Sequence, residues 1–308
     1  MTLILTVNGR ESIWMLADRR LSYSPPKPPK EDARKFMFLD TPDAVAMIGY
    51  AGLGATALGT EPADWISAVL RGRSFPLEQT IEGLAAVVQR EFPTHVAQLS
   101  KDIAAAHYFV IPAFLNGEIR LYIIDLVFAP DRKSYTFSCT RRMGKQPNRT
   151  PRFAVAGSGQ TCLERDRNWI KGLIRLVRAS DSAKVSPHVV ADYLAKINQI
   201  AHLKTLDGSV GPRCIVAWRH NRVGAHKGGG GHQFYDGTQR TADSGAIPVI
   251  ANGLDVQAYA QTIMRVTGPH MAAQLEALKS GTAPVPFDEA KLNEELAKLP
   301  EKSDENLK

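Results

Sequence analysis

One residue of this chain can combine the two groups that nucleophilic catalysis needs. Thr2 follows a single methionine in Met1-Thr2-Leu3-Ile4-Leu5-Thr6-Val7. Removal of Met1 would leave a hydroxyl and a free α-amine on the same residue. Such an amine has a reference pKa of about 7.7–8.0, so it can accept the hydroxyl proton directly or through a water. Met-Thr is a common pair, and it acquires meaning only from what the following segments deliver to it. Three residues matter most: Asp18, Lys35 and Gly49. Each taken singly is an ordinary turn or surface residue.

Two hairpins are expected to bring them together. Residues 3–7 read as a strand, and Asn8-Gly9 is a strong hairpin signal. The return strand, Ile13 to Ala17, is apolar throughout, as a strand buried on both faces must be. Strands of similar length joined by a short turn return the chain to its starting point, which places Asp18 close to Thr2. Phe36 to Leu39 and Ala44 to Ile48 form a second hairpin across Asp40-Thr41-Pro42-Asp43, so Lys35 and Gly49 become neighbours. Between the hairpins, Ser22 to Lys30 contains Pro25-Pro26-Lys27-Pro28-Pro29, which excludes helix and central strand and reads as a surface loop.

The remaining chain alternates helix pairs with strands. Helical spacing of apolar residues marks 62–70 and 77–92, the latter with Ile81, Leu84, Ala85 and Val88 as its inner stripe. Strands follow over 107–114 and 119–128 across an Asn116-Gly117 turn, then over 152–156, which runs into Gly157-Ser158-Gly159. A second helix pair is expected over 162–177 and 186–203, the latter opened by Ser186 with Pro187 at its first position. A strand covers 214–218. Hairpins without a repeating βαβ pattern indicate an α+β protein of mainly antiparallel sheets covered by helix pairs. From His220 onward the pattern weakens. Residues 221–248, with the run Gly228 to Gly231, read as a long Gly-rich insertion, and 249–308 as a helical C-terminal extension, with helices over 256–265 and 271–279 and a polar tail from Phe287.

Composition excludes several functions. The chain has 308 residues, 44% of them hydrophobic, enough for a sizeable core. No apolar run is long enough for a membrane span and no secretory signal pattern is visible, so a cytoplasmic protein without a membrane partner is expected. Cys139, Cys162 and Cys214 are widely spaced and read as reduced, bland thiols. The net charge is +7, but its densest group, Arg132, Lys133, Arg141, Arg142, Lys145, Arg149 and Arg152, lacks interleaved aromatics and reads as a solvated loop. Nucleic acid is therefore not an expected partner. The glycine run lacks the Lys-Ser/Thr ending of a phosphate cradle. His226 and His232 flank that run without ligand spacing, and neither a metal nor an organic cofactor is implied.

A strand-initial Thr, an Asp after the second strand, a Lys before the third and a Gly after the fourth resemble the β subunits of the proteasome superfamily. These are N-terminal-nucleophile (Ntn) hydrolases that include the core proteasome, HslV and the bacterial Anbu family. Over residues 2–218, Ala17-Asp18-Arg19-Arg20 is similar to the family's Asp-Arg-Arg segment and Lys35-Phe36-Met37-Phe38-Leu39 to its lysine-bearing strand. Gly157-Ser158-Gly159 is similar to its Gly-Ser-Gly turn, and Ser209-Val210-Gly211-Pro212 to the late active-site loop of Anbu. The resemblance implies a four-layer αββα sandwich over residues 1–220 and rings that enclose their active sites. It also implies roles. Thr2 attacks the scissile carbonyl, Lys35 lowers the hydroxyl's pKa, and Asp18 holds that lysine and compensates its charge. The Gly49 N–H donates to the oxyanion, a contact typically worth about 2.7–4 kcal/mol. Ser158 and Ser209 orient the Thr2 amine. The family usually places an Asp three residues before that serine, where this chain has Leu206; the nearest carboxylate is Asp207, which either substitutes for it or marks a shifted loop.

Three functions follow from the resemblance. The first is a threonine peptidase acting on peptides or unfolded protein as a homo-oligomeric ring. With no Walker motif in the sequence, any ATP-driven unfoldase that feeds it is a separate chain. The second is a hydrolase of one small amide. The third is a catalytically silent assembly subunit, against which the joint presence of Thr2, Asp18 and Lys35 speaks.

Overall fold

The computed structural model of the chain describes residues 2–21, 28–52, 60–96, 107–128, 135–143, 151–205, 207–223, 228–242, 247–283 and 286–299. Met1, most of the proline-rich segment, Arg132, Lys133, Lys145, Arg149, Leu206, His226 and the end of the polar tail lie outside the described residues.

The first two strands, β1 (Ile4–Asn8) and β2 (Ser12–Asp18), pair antiparallel with Ile4 opposite Ala17. The next two, β3 (Phe36–Asp40) and β4 (Ala44–Ala51), pair with Phe36 opposite Gly49. Both expected hairpins are therefore present. They belong to different sheets. Helices α1 (Pro62–Leu70) and α2 (Leu77–Val96) follow, then β5 (Tyr108–Leu115), β6 (Glu118–Phe128), β7 (Tyr135–Met143) and β8 (Arg152–Ala156). The second helical group is α3 (Gly159–Arg165), α4 (Asn168–Asp181) and α5 (Pro187–Lys204). After β9 (Arg213–His220) come β10 (Gly230–Asp236), β11 (Gln239–Thr241), β12 (Val249–Ala251), β13 (Leu254–Asp255), α6 (Val256–Ser280) and α7 (Glu289–Ala297). One sheet has the order β11-β10-β9-β2-β1-β8 and the other β13-β12-β3-β4-β5-β6-β7. All described pairings are antiparallel except β12 with β3.

Strand periodicity divides the apolar residues among three cores. Ile4, Ile13, Met15, Ala17, Phe36, Phe38 and Met47 pack between the sheets. Leu3, Leu5, Val7, Trp14 and Leu16 face the opposite way, against α3, α4 and α5. Met37, Leu39, Ala46 and Ile48 face α1 and α2, meeting Ile66, Leu70, Ile81 and Leu84. The result is the expected α+β arrangement, an αββα sandwich. It also explains why the run Ile13 to Ala17 of β2 is apolar at every position: each face is covered, so no face needs to be polar.

Three expectations require correction. Within the expected Gly-rich insertion 221–248, residues 230–241 hold two strands and not a loop: β10 pairs with β9 along its whole length and β11 closes a hairpin on it. The glycines have a packing reason: a Cβ on Gly231 would stand 2.6 Å from the Trp218 ring, and one on Gly230 2.7 Å from the Trp218 carbonyl oxygen. The helix expected over 162–177 is two helices, since the Asp166 carboxylate takes the Asn168 N–H at 3.2 Å and starts a new one. Conversely, the two helices expected over 256–279 are one, α6, which runs through Pro269 from a side-chain cap at Asp255 to a left-handed Gly281.

Candidate active site

The two hairpins meet at Lys35. Its Nζ donates to Thr2 Oγ1, to both Asp18 carboxylate oxygens at 3.0 and 3.1 Å, and to the Arg20 carbonyl at 2.5 Å. Its side chain is only 1% exposed and that of Asp18 is 0%. Burial pushes the Lys35 ammonium below its ordinary pKa, and attraction to Asp18 opposes that push. The carboxylate has other donors: Leu3 N–H at 2.7 Å, Arg20 N–H at 3.1 Å and Gly211 N–H at 3.3 Å. Asp18 thus ties the residue before β1, the end of β2, the late loop before β9 and the lysine before β3 to one point.

Thr2 is held on its carbonyl side as well. A Cβ on Gly157 would come within 1.9 Å of the Thr2 oxygen, and Gly157 has φ +91, so only glycine permits this approach of the turn after β8. Behind it, Gly159 N–H and Ser158 Oγ reach the same oxygen at 3.5 and 3.4 Å. Ser158 Oγ also accepts from Ser209 Oγ at 2.6 Å, and Ser209 N–H donates to Asp207 Oδ1 at 2.9 Å. Partial burial pushes the Asp207 carboxyl up, yet its hydrogen bonds from Ser209 hold it below the ordinary carboxylate value. Asp207, Ser209 and Ser158 therefore form one chain that ends on the Thr2 carbonyl.

Gly49 lies beside this group in the sheet, opposite Phe36 on β3 and Val110 on β5. Tyr50 N–H donates to the Lys35 carbonyl at 2.9 Å, so alternation along β4 turns the preceding Gly49 N–H away from β3 and towards β5. A Cβ on Gly49 would lie 2.8 Å from Met15 Sδ, which explains a glycine in an otherwise bulky strand.

Arg20, which the sequence offers only as part of the Asp-Arg-Arg segment, stands two residues after Asp18. Besides offering its carbonyl to Lys35, it donates from Nε to Glu31 at 2.5 Å and from its terminal nitrogen to the Gly208 carbonyl. It clamps the late loop onto the segment leading to β3. Among the described residues, no cluster of His, Cys, Asp or Glu could hold a metal ion. No helix among them is long and apolar enough to cross a membrane. Cys214 is buried, which pushes its thiol up and disfavours thiolate chemistry.

No protein-family model matches this sequence, and no curated protein matches it. Among solved structures, the chain is similar to Anbu (ancestral beta-subunit) from Yersinia bercovieri, at 13% identity over 71% of this chain and 82% of that one, with a TM-score of 0.41. It is similar to Anbu from Hyphomicrobium sp. strain MC1 at 12% identity over 71% and 82%, with a TM-score of 0.41. It is also similar to the Anbu complex from Pseudomonas aeruginosa, described as a helical assembly, at 14% identity over 94% and 99%, with a TM-score of 0.39. A likeness this distant assigns no residue a role. The solved structures to which the chain is similar are thus Anbu proteins, at low sequence identity.

Proposed function

We propose that the chain is an N-terminal-nucleophile amide hydrolase, a threonine peptidase that acts once the Met1–Thr2 bond has been cut. What carries this reading is one contact set: a buried lysine ammonium that donates simultaneously to Thr2 Oγ1 and to the Asp18 carboxylate. Its positive charge beside the hydroxyl lowers the cost of forming the alkoxide. Thr2 Oγ attacks the substrate carbonyl while the Thr2 amine takes the proton. The oxyanion that forms is assigned to backbone donors. The amine then passes its proton to the leaving nitrogen, and water attacks the resulting ester to release the acyl group. Asp207, Ser209 and Ser158 hold Thr2 in the attacking orientation.

Peptides or unfolded chains are the proposed substrates, and a homo-oligomer is the proposed working form in the cytoplasm. Any ATPase that delivers substrate is a separate chain. Intact mass and reaction with an epoxyketone test the chemistry. Loss of Met1 together with an adduct on Thr2 supports it; hydrolysis by protein that retains Met1 overturns it. Hydrolysis of simple amides but not of short peptides would replace the peptidase with the small-amide reading.

A further inference from the structure

The longest helix among the described residues leaves an apolar stripe uncovered. On α6, Met264, Met271, Leu275 and Leu278 are 66%, 59%, 57% and 73% exposed. With Gly268 they recur at steps of four, three, four and three residues, which places all five on one side of the helix. The opposite side carries the buried Thr262 and Ala277. A Cβ on Gly268 would meet nothing within 4 Å, so the stripe is open along its length. Single exposed hydrophobic residues are normal on a surface, but an ordered stripe over four turns marks a contact surface.

We propose that this stripe is a two-fold contact between two copies of the chain, with α6 packed antiparallel against α6 of the second copy. The order of residues carries the choice of occupant. About Met271 the stripe is symmetric to within one residue: antiparallel pairing that sets Met271 against itself sets Met264 against Leu278 of the other copy and brings Gly268, three residues before Met271, within one residue of Leu275, four after it. A large residue meets a small one at Gly268, which lets the helices approach. The flanking charges are complementary in the same register. Arg265 and Glu276 lie on one flank of the stripe, and the pairing that centres Met271 puts each beside the opposite charge of the other copy. Both are available, since the Arg265 side chain is two-thirds exposed beside Glu295 and Glu276 is exposed beside Lys279. A surface that is complementary to itself, in shape and in charge, is what an isologous two-fold contact requires. Residues 300–308, with Leu307 as their one apolar side chain, lack the hydrophobic pattern to cover the stripe.

The test uses the full chain and does not depend on its activity, so its failure is distinct from failure of the hydrolase reading. Met271→Cys places the two thiols at the two-fold axis. Mild oxidation is expected to give a disulfide-linked dimer through residue 271, identified by peptide mapping. Met271→Glu places two carboxylates there, and native mass is expected to fall to half that of the parent. Arg265→Glu should weaken the contact, and Arg265→Glu with Glu276→Arg should restore it. A parent protein that is monomeric at micromolar concentration, or a Met271→Cys protein that fails to cross-link while Met271→Glu keeps the parent mass, overturns the proposal.

Discussion

Lys35 Nζ lies 3.0 Å from Asp18 Oδ1 in a setting closed to solvent, and the same nitrogen donates to Thr2 Oγ1. A buried pair of this kind is costly to form and costlier to break. Replacing Lys35 by Ala leaves the Asp18 carboxylate buried without its cation. The expected loss is about 3–5 kcal/mol of stability, and about 10²–10⁴-fold in the rate of Thr2 acylation. The double variant Asp18→Asn, Lys35→Met removes both charges and should recover much of the stability and none of the rate. Thermal unfolding and probe-labelling rates separate the two effects.

Burial also sets a pH dependence. Because burial pushes Lys35 below its ordinary value of 10.5, the unfolded chain binds that proton more tightly than the folded one. Below its folded pKa, Lys35 therefore costs stability, and the cost is relieved as pH rises from the folded pKa towards 10.5. Over the same window the ammonium beside Thr2 is lost. The rate is expected to fall on the alkaline side while this contribution to stability grows, and the Asp18→Asn, Lys35→Met variant should lack that rise. Parallel pH profiles of kcat/KM and Tm check the opposite signs.

Gly157→Ala forces a Cβ into the Thr2 carbonyl and an L side chain into φ +91. The strain alone costs about 2 kcal/mol. The turn must move, and Thr2 moves with it. Reduced Tm together with slower labelling is expected; unchanged labelling would mean that the turn does not position Thr2.

The Asp207, Ser209 and Ser158 chain should act through orientation. Ser209→Ala is expected to slow acylation by up to about 100-fold with little change in KM. Asp207 is held below the ordinary carboxylate value of 3.8, so its contribution is present above that value and lost as pH falls through its lower folded pKa. The acid limb of the rate should therefore belong to the Thr2 amine and stay in place in Asp207→Asn. A limb that shifts in that variant contradicts the assignment.

Much of this site was legible because it rests on local geometry. The Asn8-Gly9 turn folds β2 back and brings Asp18 near Thr2, and the Asp40-to-Asp43 turn sets Lys35 beside Tyr50 in the other sheet; packing of the two sheets then brings Lys35 to Thr2. Continuous apolar runs likewise announced strands covered on both faces. Ser158 and Ser209, expected around the Thr2 amine, are placed otherwise: Ser158 Oγ donates to the Thr2 carbonyl, and Ser209 Oγ donates to Ser158. What escaped the sequence depends on partners distant in the chain. Gly230 and Gly231 read as loop because they lack side chains, yet they lack them in order to lie against Trp218. Residues 249–251 are too short to announce a strand, and their parallel pairing with β3 is purely tertiary. Pro269 suggests a helix boundary, but α6 continues through it. The contacts of Arg20 were hidden because its neighbours at Gly208 and Glu31 come from separate segments.

The central claim is that Thr2 supplies both nucleophile and base. An epoxyketone closes a ring through the hydroxyl and the amine of one residue, so its adduct reports both groups together. Mass spectrometry of probe-treated protein is expected to find Met1 absent and a single adduct on the N-terminal peptide beginning at Thr2, and to find none in Thr2→Ala. Protein that retains Met1 and still hydrolyses peptides, or Thr2→Ala protein with undiminished activity, would contradict the account.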